Sequence, residues 1–136
     1  MQINPYLHFN GNCGEAFKFY ERCLRGTIEM MHTYGDSPMK DQVPSDMHKR
    51  VMHVHLVADG QSLFGSDSPH ATVETVQGMS VSLGVPSLED GQRIFRELSQ
   101  GGSVTVPFEK TFWSPGFGMV TDRFGTPWMV NVEHKP

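Results

Sequence analysis

The sequence predicts an α+β fold of two β-α-β-β-β modules, with the helices packed outside curved mixed sheets. Two amphipathic segments of the same plan begin 75 residues apart, after Asn12 and Ser87. Each follows one short strand-like run and precedes three more. The last quarter of the chain has the alternation and the central turn of a β-hairpin. An internal repeat of this size indicates two similar structural modules.

The first module begins with a strand at about Tyr6 to Phe9, followed by a helix from about Cys13 to Leu24. Asn12 can cap this helix, Glu15 completes a capping-box pattern, and Gly26 ends the helix. Three more strands are predicted at about 27–34, 51–58 and 62–65, with a turn at Asp59-Gly60 between the last two.

The second module repeats this order. A strand at about 79–85 precedes a helix that Ser87 caps and that Gly101 and Gly102 end, with Gly101 as the expected counterpart of Gly26. Strands follow at about 103–108, 116–121 and 127–132, with a turn at 122–125. We expect residues 1–136 to form a single domain, with module one at about 1–68 and module two at about 76–136. Long loops are predicted at about 35–50 and 66–76.

Composition and charge exclude several classes of function. The net charge of -4 leaves no basic stripe for a phosphate backbone, so nucleic acid is not an expected partner. With no secretory leader and no apolar run of membrane-spanning length, a soluble, cytoplasmic protein is predicted. Cys13 and Cys23 lie about 15 Å apart on one predicted helix, too far for a disulfide, and are interpreted as small hydrophobic residues.

Several motifs carry a resemblance to a known family: Pro5-Tyr6-Leu7-x-Phe9-x-Gly11-Asn12, Glu15-Ala16-x-x-Phe19-Tyr20, Gly65-Ser66-Asp67, Phe112-Trp113-x-x-Gly116-Phe117-Gly118 and Asp122-x-x-Gly125-x-Pro127-Trp128. They resemble the PhnB-like branch of the vicinal-oxygen-chelate superfamily, which includes glyoxalase I, extradiol dioxygenases and bleomycin- and fosfomycin-resistance proteins. This branch has often carried the label 3-demethylubiquinone-9 3-methyltransferase. The resemblance spans the chain and implies paired βαβββ modules and a homodimer.

In the metal-dependent members of that superfamily, four ligands on the concave face hold a divalent ion. The resemblance places the corresponding positions at Pro5 (or Asn4), Phe64, Ser80 and Met129. None of these is a suitable ligand for a hard divalent metal. We therefore expect no metal and no cofactor at the usual positions.

A different metal site is conceivable around His53 and His55, which alternate on one strand and so point to the same face. Asp67, at the end of the next strand, is a possible third ligand. His53 and Asp67 could also act as an acid-base pair if their side chains came within hydrogen-bond reach. The other interpretation is two strand histidines, one lining a cavity and one at a surface or subunit contact.

A methyltransferase would need a nucleotide-cofactor site. Gly116-Phe117-Gly118 lacks a third glycine and opens a strand of a hairpin, whereas a nucleotide loop leads from a strand into a helix. The sequence also has no nucleophile elbow and no cysteine in an activating setting. Methyltransferase activity is therefore not expected, and the catalytic residues, if any, are left unassigned.

Two hypotheses about function remain open. In the first, the protein binds a small molecule in an aromatic-lined hollow, with Trp113, Phe117 and Trp128 as walls and His53 and Asn131 as polar anchors. The alternative places the same aromatic residues in the core and in a dimer contact. In the second, the protein is a divalent-metal-dependent lyase or dioxygenase of the glyoxalase type, with a non-standard site around His53 and His55.

Overall fold

A computed structural model describes residues 1–69 and 75–133 of the chain. The described residues form eight strands and two α-helices in the order β-α-β-β-β, twice, which confirms the predicted fold class. In chain order the elements are β1 (Tyr6–Phe9), α1 (Cys13–Leu24), β2 (Thr27–Thr33), β3 (Val51–Ala58), β4 (Gln61–Asp67), β5 (Val81–Val85), α2 (Leu88–Leu98), β6 (Ser103–Glu109), β7 (Phe117–Thr121) and β8 (Pro127–Val132).

The chain divides into two compact units, Met1–Glu74 and Thr75–Pro136, each with one four-stranded mixed sheet. The strand orders are β1-β4-β3-β2 and β5-β8-β7-β6. In each sheet the first strand of the module runs parallel to the last, and the other neighbours are antiparallel. That the two modules make a single domain stays a prediction.

Most element bounds agree with the sequence patterns, because helical and alternating periodicities are local signals. β4 runs two residues beyond the predicted end at Gly65, because it pairs with β1 as far as Phe9 and Asp67. The predicted loop at 35–50 contains two short 3-10 turns, Lys40–Gln42 and Ser45–Met47. In the predicted loop at 66–76, residues 70–74 lie outside the described residues.

In the first sheet, one face packs against α1. Val54 and Leu56 of β3 are fully buried there, and a Cβ added at Gly65 would lie 2.5 Å from the Phe17 ring of α1. Strand alternation places the residues between them on the opposite face. We call this second surface, formed by Tyr6, His8, Met30, His32, His53, His55, Phe64 and their neighbours, the open face of the first sheet.

The second sheet has the same arrangement. Its buried face carries Val120, Trp128, Val130 and Val132, and a Cβ at Gly118 would overlap the Phe95 ring of α2. The residues between them form the open face of the second sheet: Phe117, Met119, Met129, Asn131 and Ser82. Within the residues that the structure describes, no helix has the length and apolar character to span a membrane.

The two helices begin in different ways. Ser87 caps α2 as predicted, with its side chain accepting a hydrogen bond from the backbone N–H of Asp90 at 3.1 Å. Asn12 makes no side-chain capping bond to α1. Asp67, at the end of β4, accepts instead from the N–H groups of Gly11 at 2.8 Å and Cys13 at 3.0 Å. The predicted Asn12 cap is therefore wrong, because a carboxylate distant in the sequence takes its place.

The glycine that follows α1 also has a different role from the one predicted. The left-handed residue after α1 is Arg25, with φ 51°, and Gly26 is placed where a Cβ would lie 2.6 Å from the carbonyl oxygen of Val57. In the second module Gly101 is left-handed, with φ 73°, and Gly102 packs against the carbonyl of Thr121. The packing therefore matches Gly26 with Gly102, and the predicted match with Gly101 is wrong by one residue.

Candidate functional site

The open face of the first sheet carries a cluster of nearly parallel rings around Phe64. The centroid of this ring is 4.5 Å from His55, 5.5 Å from His53 and 6.3 Å from Tyr6, with interplanar angles of 25°, 23° and 15°. The Tyr6 hydroxyl and His53 Nδ1 share a hydrogen bond of 3.1 Å, and His55 Nε2 and Ser62 Oγ share one of 2.8 Å. The structure therefore brings His53 and His55 together on one surface, as predicted from their spacing.

Sequence reasoning missed two further histidines on this face. His8 alternates with Tyr6 on β1, and their rings are 5.0 Å apart. His32 of β2 is the cross-strand partner of His53, so both side chains point the same way. The signal for His8 was its spacing of two from Tyr6, but the pairing of His32 with His53 depends on a strand register that the sequence does not reveal.

Asp67 is not part of this surface. Its side chain is on the helix side of the sheet and is 1% exposed. It accepts three backbone hydrogen bonds, from Gly11, Cys13 and Val51, at 2.8, 3.0 and 2.9 Å. The structure does not bring Asp67 to His53 and His55, because β4 alternates and Asp67 falls on the face opposite Phe64.

The positions expected for a metal quartet are occupied by non-ligands. Phe64 is paired with Tyr6, not Pro5, and Met129 is paired with Ser82, not Ser80. The open-face residues nearest the expected ligand positions are Tyr6, Phe64, Ser82 and Met129. They supply two aromatic rings, a hydroxyl and a thioether. In the described part of the chain, no three His, Cys, Asp or Glu side chains are arranged to hold a metal ion. This donor set does not fit a divalent metal site.

The open face of the second sheet is largely apolar and continues onto an aromatic loop. The Trp113 ring is T-shaped against Phe117 at 5.3 Å, and Trp113 remains 48% exposed. Phe112, 98% exposed, is T-shaped against Trp113 at 4.9 Å. The buried Ser114 hydroxyl holds the loop by sharing its one proton between the carbonyls of Gly116 and Val132, at 2.7 and 2.9 Å. The exposed rings are therefore displayed by a hydrogen-bonded scaffold.

Asn131 places an unpaired acceptor beside this apolar surface. It lies directly opposite Phe117 in the register, and its side-chain Oδ1 is buried with no hydrogen-bond partner among the described residues. Gly84, its neighbour on β5, leaves room for the Glu133 carboxylate, since a Cβ at Gly84 would lie 2.7 Å from Oε1. The Asn131 oxygen is therefore the unpartnered acceptor at this edge of the surface, beside the Glu133 carboxylate.

Trp128, predicted as a wall of the same hollow, lies on the opposite side of the second sheet. It is 1% exposed, and its indole N–H donates to Asp122 Oδ2 at 2.8 Å. The other carboxylate oxygen of Asp122 accepts from the N–H groups of Phe124 and Thr126. Trp128 and Asp122 thus pack the core and fix the β7–β8 turn, whereas Trp113, Phe117 and Asn131 share the open side.

The buried cysteines are not prepared for nucleophilic chemistry. Cys13 and Cys23 are both fully buried. Burial, with a smaller contribution from the negative charge of Asp67, raises the pKa of the Cys13 thiol well above its ordinary value. A thiol must ionise to act as a nucleophile, so Cys13 is inert near neutral pH.

The fold defines the class of protein. A solved glyoxylase/bleomycin resistance protein/dioxygenase domain from Frankia sp. EAN1pec superposes with a TM-score of 0.71 over 98% of each chain, at 12% identity. At this identity the likeness shows the fold alone. The chain has the paired-module fold of the vicinal-oxygen-chelate superfamily, as its sequence motifs predicted.

The family is more specific. The family model described as 3-demethylubiquinone-9 3-methyltransferase matches residues 1–131, and the chain belongs to this PhnB-like family. Protein YjdN of Escherichia coli (strain K12) is 33% identical over 140 residues, covering 97% of this chain and 95% of YjdN. The crystal structure of protein PA1353 from Pseudomonas aeruginosa is 47% identical, with a TM-score of 0.90 over 99% of both chains.

Proposed function

We propose that the protein binds a small aromatic molecule on the open face of the second sheet. The observation that carries this proposal is the buried, unpartnered Oδ1 of Asn131. A buried acceptor without a partner costs about 1–3 kcal/mol. A ligand that donates an N–H to this oxygen removes that cost, so the site favours ligands with a donor at one edge.

The surroundings of Asn131 suit the rest of such a ligand. Phe117, Met119 and Met129 surround it in the strand register, and Trp113 extends the surface beyond Phe117. Sites for small molecules are mostly apolar with a few well-placed polar groups. Methionine side chains adapt to irregular shapes and make favourable contacts with rings.

The glycines of the Gly-x-Gly motif support a packing role and not nucleotide binding. A Cβ at Gly116 would lie 2.6 Å from the Phe108 ring, and one at Gly118 would overlap Phe95. Both glycines thus make room for aromatic side chains beneath β7. We infer that the methyltransferase in the family's description is not the activity of this chain.

Paired probes test the binding proposal. Indole presents a ring and one N–H donor, whereas 1-methylindole lacks the donor. We expect indole to bind about tenfold more tightly, a difference of about 1.4 kcal/mol, measured by calorimetry. Asn131→Leu should abolish the difference. Equal affinities in the native protein would refute a role for Asn131.

Variants of Trp113 and Phe117, the aromatic residues of the proposed site, provide a second test of indole binding. Trp113→Ala and Phe117→Ala should each weaken indole binding several-fold, measured by calorimetry because one of them removes a fluorophore. Phe124→Ala is the matched control, since Phe124 lies in the β7–β8 turn against the Arg123 guanidinium. If Phe124→Ala weakened binding as much as Phe117→Ala, the site would not lie on the open face.

The metal-dependent alternative has His53 and His55 as its available donors. We propose that the protein acts without a metal or other cofactor. Elemental analysis of gently purified protein, together with native mass spectrometry, distinguishes the two possibilities. Stoichiometric nickel, zinc, iron or manganese that is lost in His53→Ala would establish the alternative, and a co-purified organic molecule without metal would support the binding function.

Two further properties are part of the proposal. We infer a homodimer from the resemblance of the motifs, and we propose a cytoplasmic location, as expected from the sequence. Sedimentation velocity over a range of concentrations measures the oligomeric state. A monomer at all concentrations would remove the dimer from the proposal but would leave the binding site unaffected, because the groups named above belong to one module.

A further inference from the structure

We propose that the β1–α1 loop, residues 10–12, contains a latent modification site: spontaneous deamidation of Asn10, which the buried Asp67 carboxylate suppresses in the folded protein. Asparagine is a thermally labile side chain. Asn10 is followed by glycine, whereas the other asparagines of the chain are followed by proline, cysteine or valine. Glycine has no side chain to shield its backbone nitrogen from the preceding amide. Asn10 and Gly11 are both exposed, so water reaches them.

The reaction needs no enzyme, and water is its single co-reactant. The Gly11 nitrogen attacks Cγ of Asn10, the N–Cγ bond forms and the Cγ–Nδ2 bond breaks. Nδ2 leaves as ammonia with the proton that the Gly11 amide gives up, and a cyclic succinimide remains. Water then opens either carbonyl of the ring, which leaves aspartate or isoaspartate in place of Asn10. Both products carry a negative charge that the amide did not have.

Asp67 restrains the attacking nitrogen. The Gly11 N–H donates to Asp67 Oδ1 at 2.8 Å, and the Cys13 N–H donates to the same oxygen at 3.0 Å. Gly11 must lose its amide proton to attack, and a carboxylate at this distance disfavours the negative charge that would form on the nitrogen. Because Asp67 is 1% exposed, water screens this repulsion poorly.

Arg50 restrains the side chain that would be attacked. Its Nη1 donates to Asn10 Oδ1 at 3.0 Å and to the Ser68 carbonyl at 2.9 Å. The guanidinium also lies against Gly11, where an added Cβ would be 3.4 Å from Nη2. The Ser68 N–H donates to the Phe9 carbonyl at 2.8 Å, so the backbone before Asn10 is fixed as well. Ring closure uses rotations of the Asn10 side chain and backbone that these contacts limit.

Deamidation in the folded protein therefore requires local opening of the β1–α1 loop, and its rate measures the open fraction. The product has a structural consequence. Isoaspartate routes the main chain through Cβ, which inserts an extra carbon before Gly11 and displaces the Gly11 N–H from Asp67. The modified chain would lose one of the hydrogen bonds by which Asp67 holds the start of α1.

The full-length protein, folded or unfolded in guanidinium chloride at the same mildly alkaline pH, tests the protection. Peptide mass spectrometry measures the mass gained at Asn10 when its amide becomes a carboxylate, and reversed-phase chromatography separates aspartate from isoaspartate. We expect the folded protein to react at least about tenfold more slowly than the unfolded chain. Equal rates in the two states would overturn the proposal.

Variants assign the protection to named groups. Asp67→Asn removes the negative charge beside Gly11 and should raise the rate at Asn10 about tenfold or more. Arg50→Met keeps the Asp67 hydrogen bonds and should raise the rate a few-fold. A native rate in both variants would refute the proposal. A rate below the native one in Arg50→Met would show that Arg50 activates the Asn10 carbonyl, and would overturn its restraining role.

Trp128→Phe is the control for global destabilisation. Trp128 is buried in the second module, away from the β1–α1 loop in the sequence and in its sheet. Its substitution should leave the rate at Asn10 unchanged, because the reaction follows local opening. If Trp128→Phe accelerated deamidation as much as Asp67→Asn, the reaction would follow global unfolding, and the role of Asp67 would be wrong. None of these outcomes bears on indole binding, because the loop shares no residue with that site.

Discussion

The carboxylate of Asp67 accepts a hydrogen bond of 3.0 Å from the backbone N–H of Cys13, the first residue of α1, across 54 positions of sequence. The same group also accepts from Gly11 and Val51, so one buried side chain of β4 joins the β1–α1 loop, α1 and β3. Tyr34 completes the arrangement by donating its hydroxyl to the Asp67 carbonyl at 2.8 Å. Asp67 therefore has a structural role at the start of the helix.

Replacing Asp67 by Asn should destabilise the protein by about 3 kcal/mol. The amide NH2 that replaces one carboxylate oxygen cannot accept a hydrogen bond from the backbone N–H that it would face. Urea unfolding, followed by circular dichroism, measures the loss. Asn12→Ala is the matched control and should change the free energy of unfolding by less than about 0.5 kcal/mol, since Asn12 makes no capping bond. A large effect of Asn12→Ala with a small effect of Asp67→Asn would reverse the assignment.

Two glycines at the ends of α1 should respond in opposite directions to alanine. A Cβ at Gly14 would make ordinary contacts, 3.5 Å from Val51, so Gly14→Ala should stabilise the helix by up to about 1 kcal/mol. A Cβ at Gly26 would lie 2.6 Å from the Val57 carbonyl oxygen, which cannot move freely. Gly26→Ala should therefore cost about 2 kcal/mol or more. Thermal unfolding of both variants checks the sign, and two shifts of the same sign would contradict the packing described.

Substitutions of the two tryptophans should have different effects: one at Trp128 on stability, and one at Trp113 on ligand binding. Trp128→Phe removes an indole N–H from the buried Asp122 carboxylate and should destabilise by about 2–4 kcal/mol. Trp113→Ala, at a half-exposed position, should cost less than about 1 kcal/mol but should weaken the binding of indole. Chemical denaturation and calorimetry on the same preparations measure the two effects. A loss of binding in Trp128→Phe without a loss of stability would place Trp128 in the site.

Alkaline pH should destabilise the protein. Burial raises the pKa of the Cys13 thiol above its ordinary 9.0, and burial together with nearby negative charge raises the pKa of Tyr34 above its ordinary 10.0. In both cases the unfolded chain releases its proton first. The stabilisation is therefore fully present below pH 9 and declines as the pH rises toward the folded-state values, by up to about 1.4 kcal/mol per pH unit for each group.

Denaturant unfolding between pH 8 and about pH 11 measures this decline. Cys13→Ala should unfold more easily near pH 8 but should show a shallower pH dependence above pH 9, because one titrating group is absent. Ser62→Ala removes no titrating group and should keep the native slope. An unchanged slope in Cys13→Ala would mean that its thiol does not contribute.

Sequence patterns were sufficient to predict the features whose interacting residues are close together in the sequence. The helical periodicity of residues 13–24 and the alternation of residues 51–58 predicted α1 and β3 with their observed bounds. The capping bond of Ser87 to Asp90 was also predictable, because both partners lie within one turn. The spacing of His53 and His55 placed them on one face for the same reason.

The candidate sites depended on contacts between distant residues. Trp128 and Asn131 are three residues apart on β8, so strand alternation puts them on opposite faces, and the position of α2 decides which of the two is on the open side. The pairing of His32 with His53 required the register of β2 against β3, which includes a bulge. The unpaired Oδ1 of Asn131 is visible only when all its neighbours are in place.

The sequence alone therefore determined the order of the elements, the two-module plan and the family, because periodicity, turn residues and motifs are encoded over a few positions each. The tertiary structure decided which side of each sheet is open, that Asp67 caps α1, and that Trp113 and Phe117 share a surface with Asn131. The physical reason is that burial and hydrogen-bond satisfaction are properties of residues brought together by folding. A one-residue change of strand register would move every side chain of that strand to the other face of the sheet.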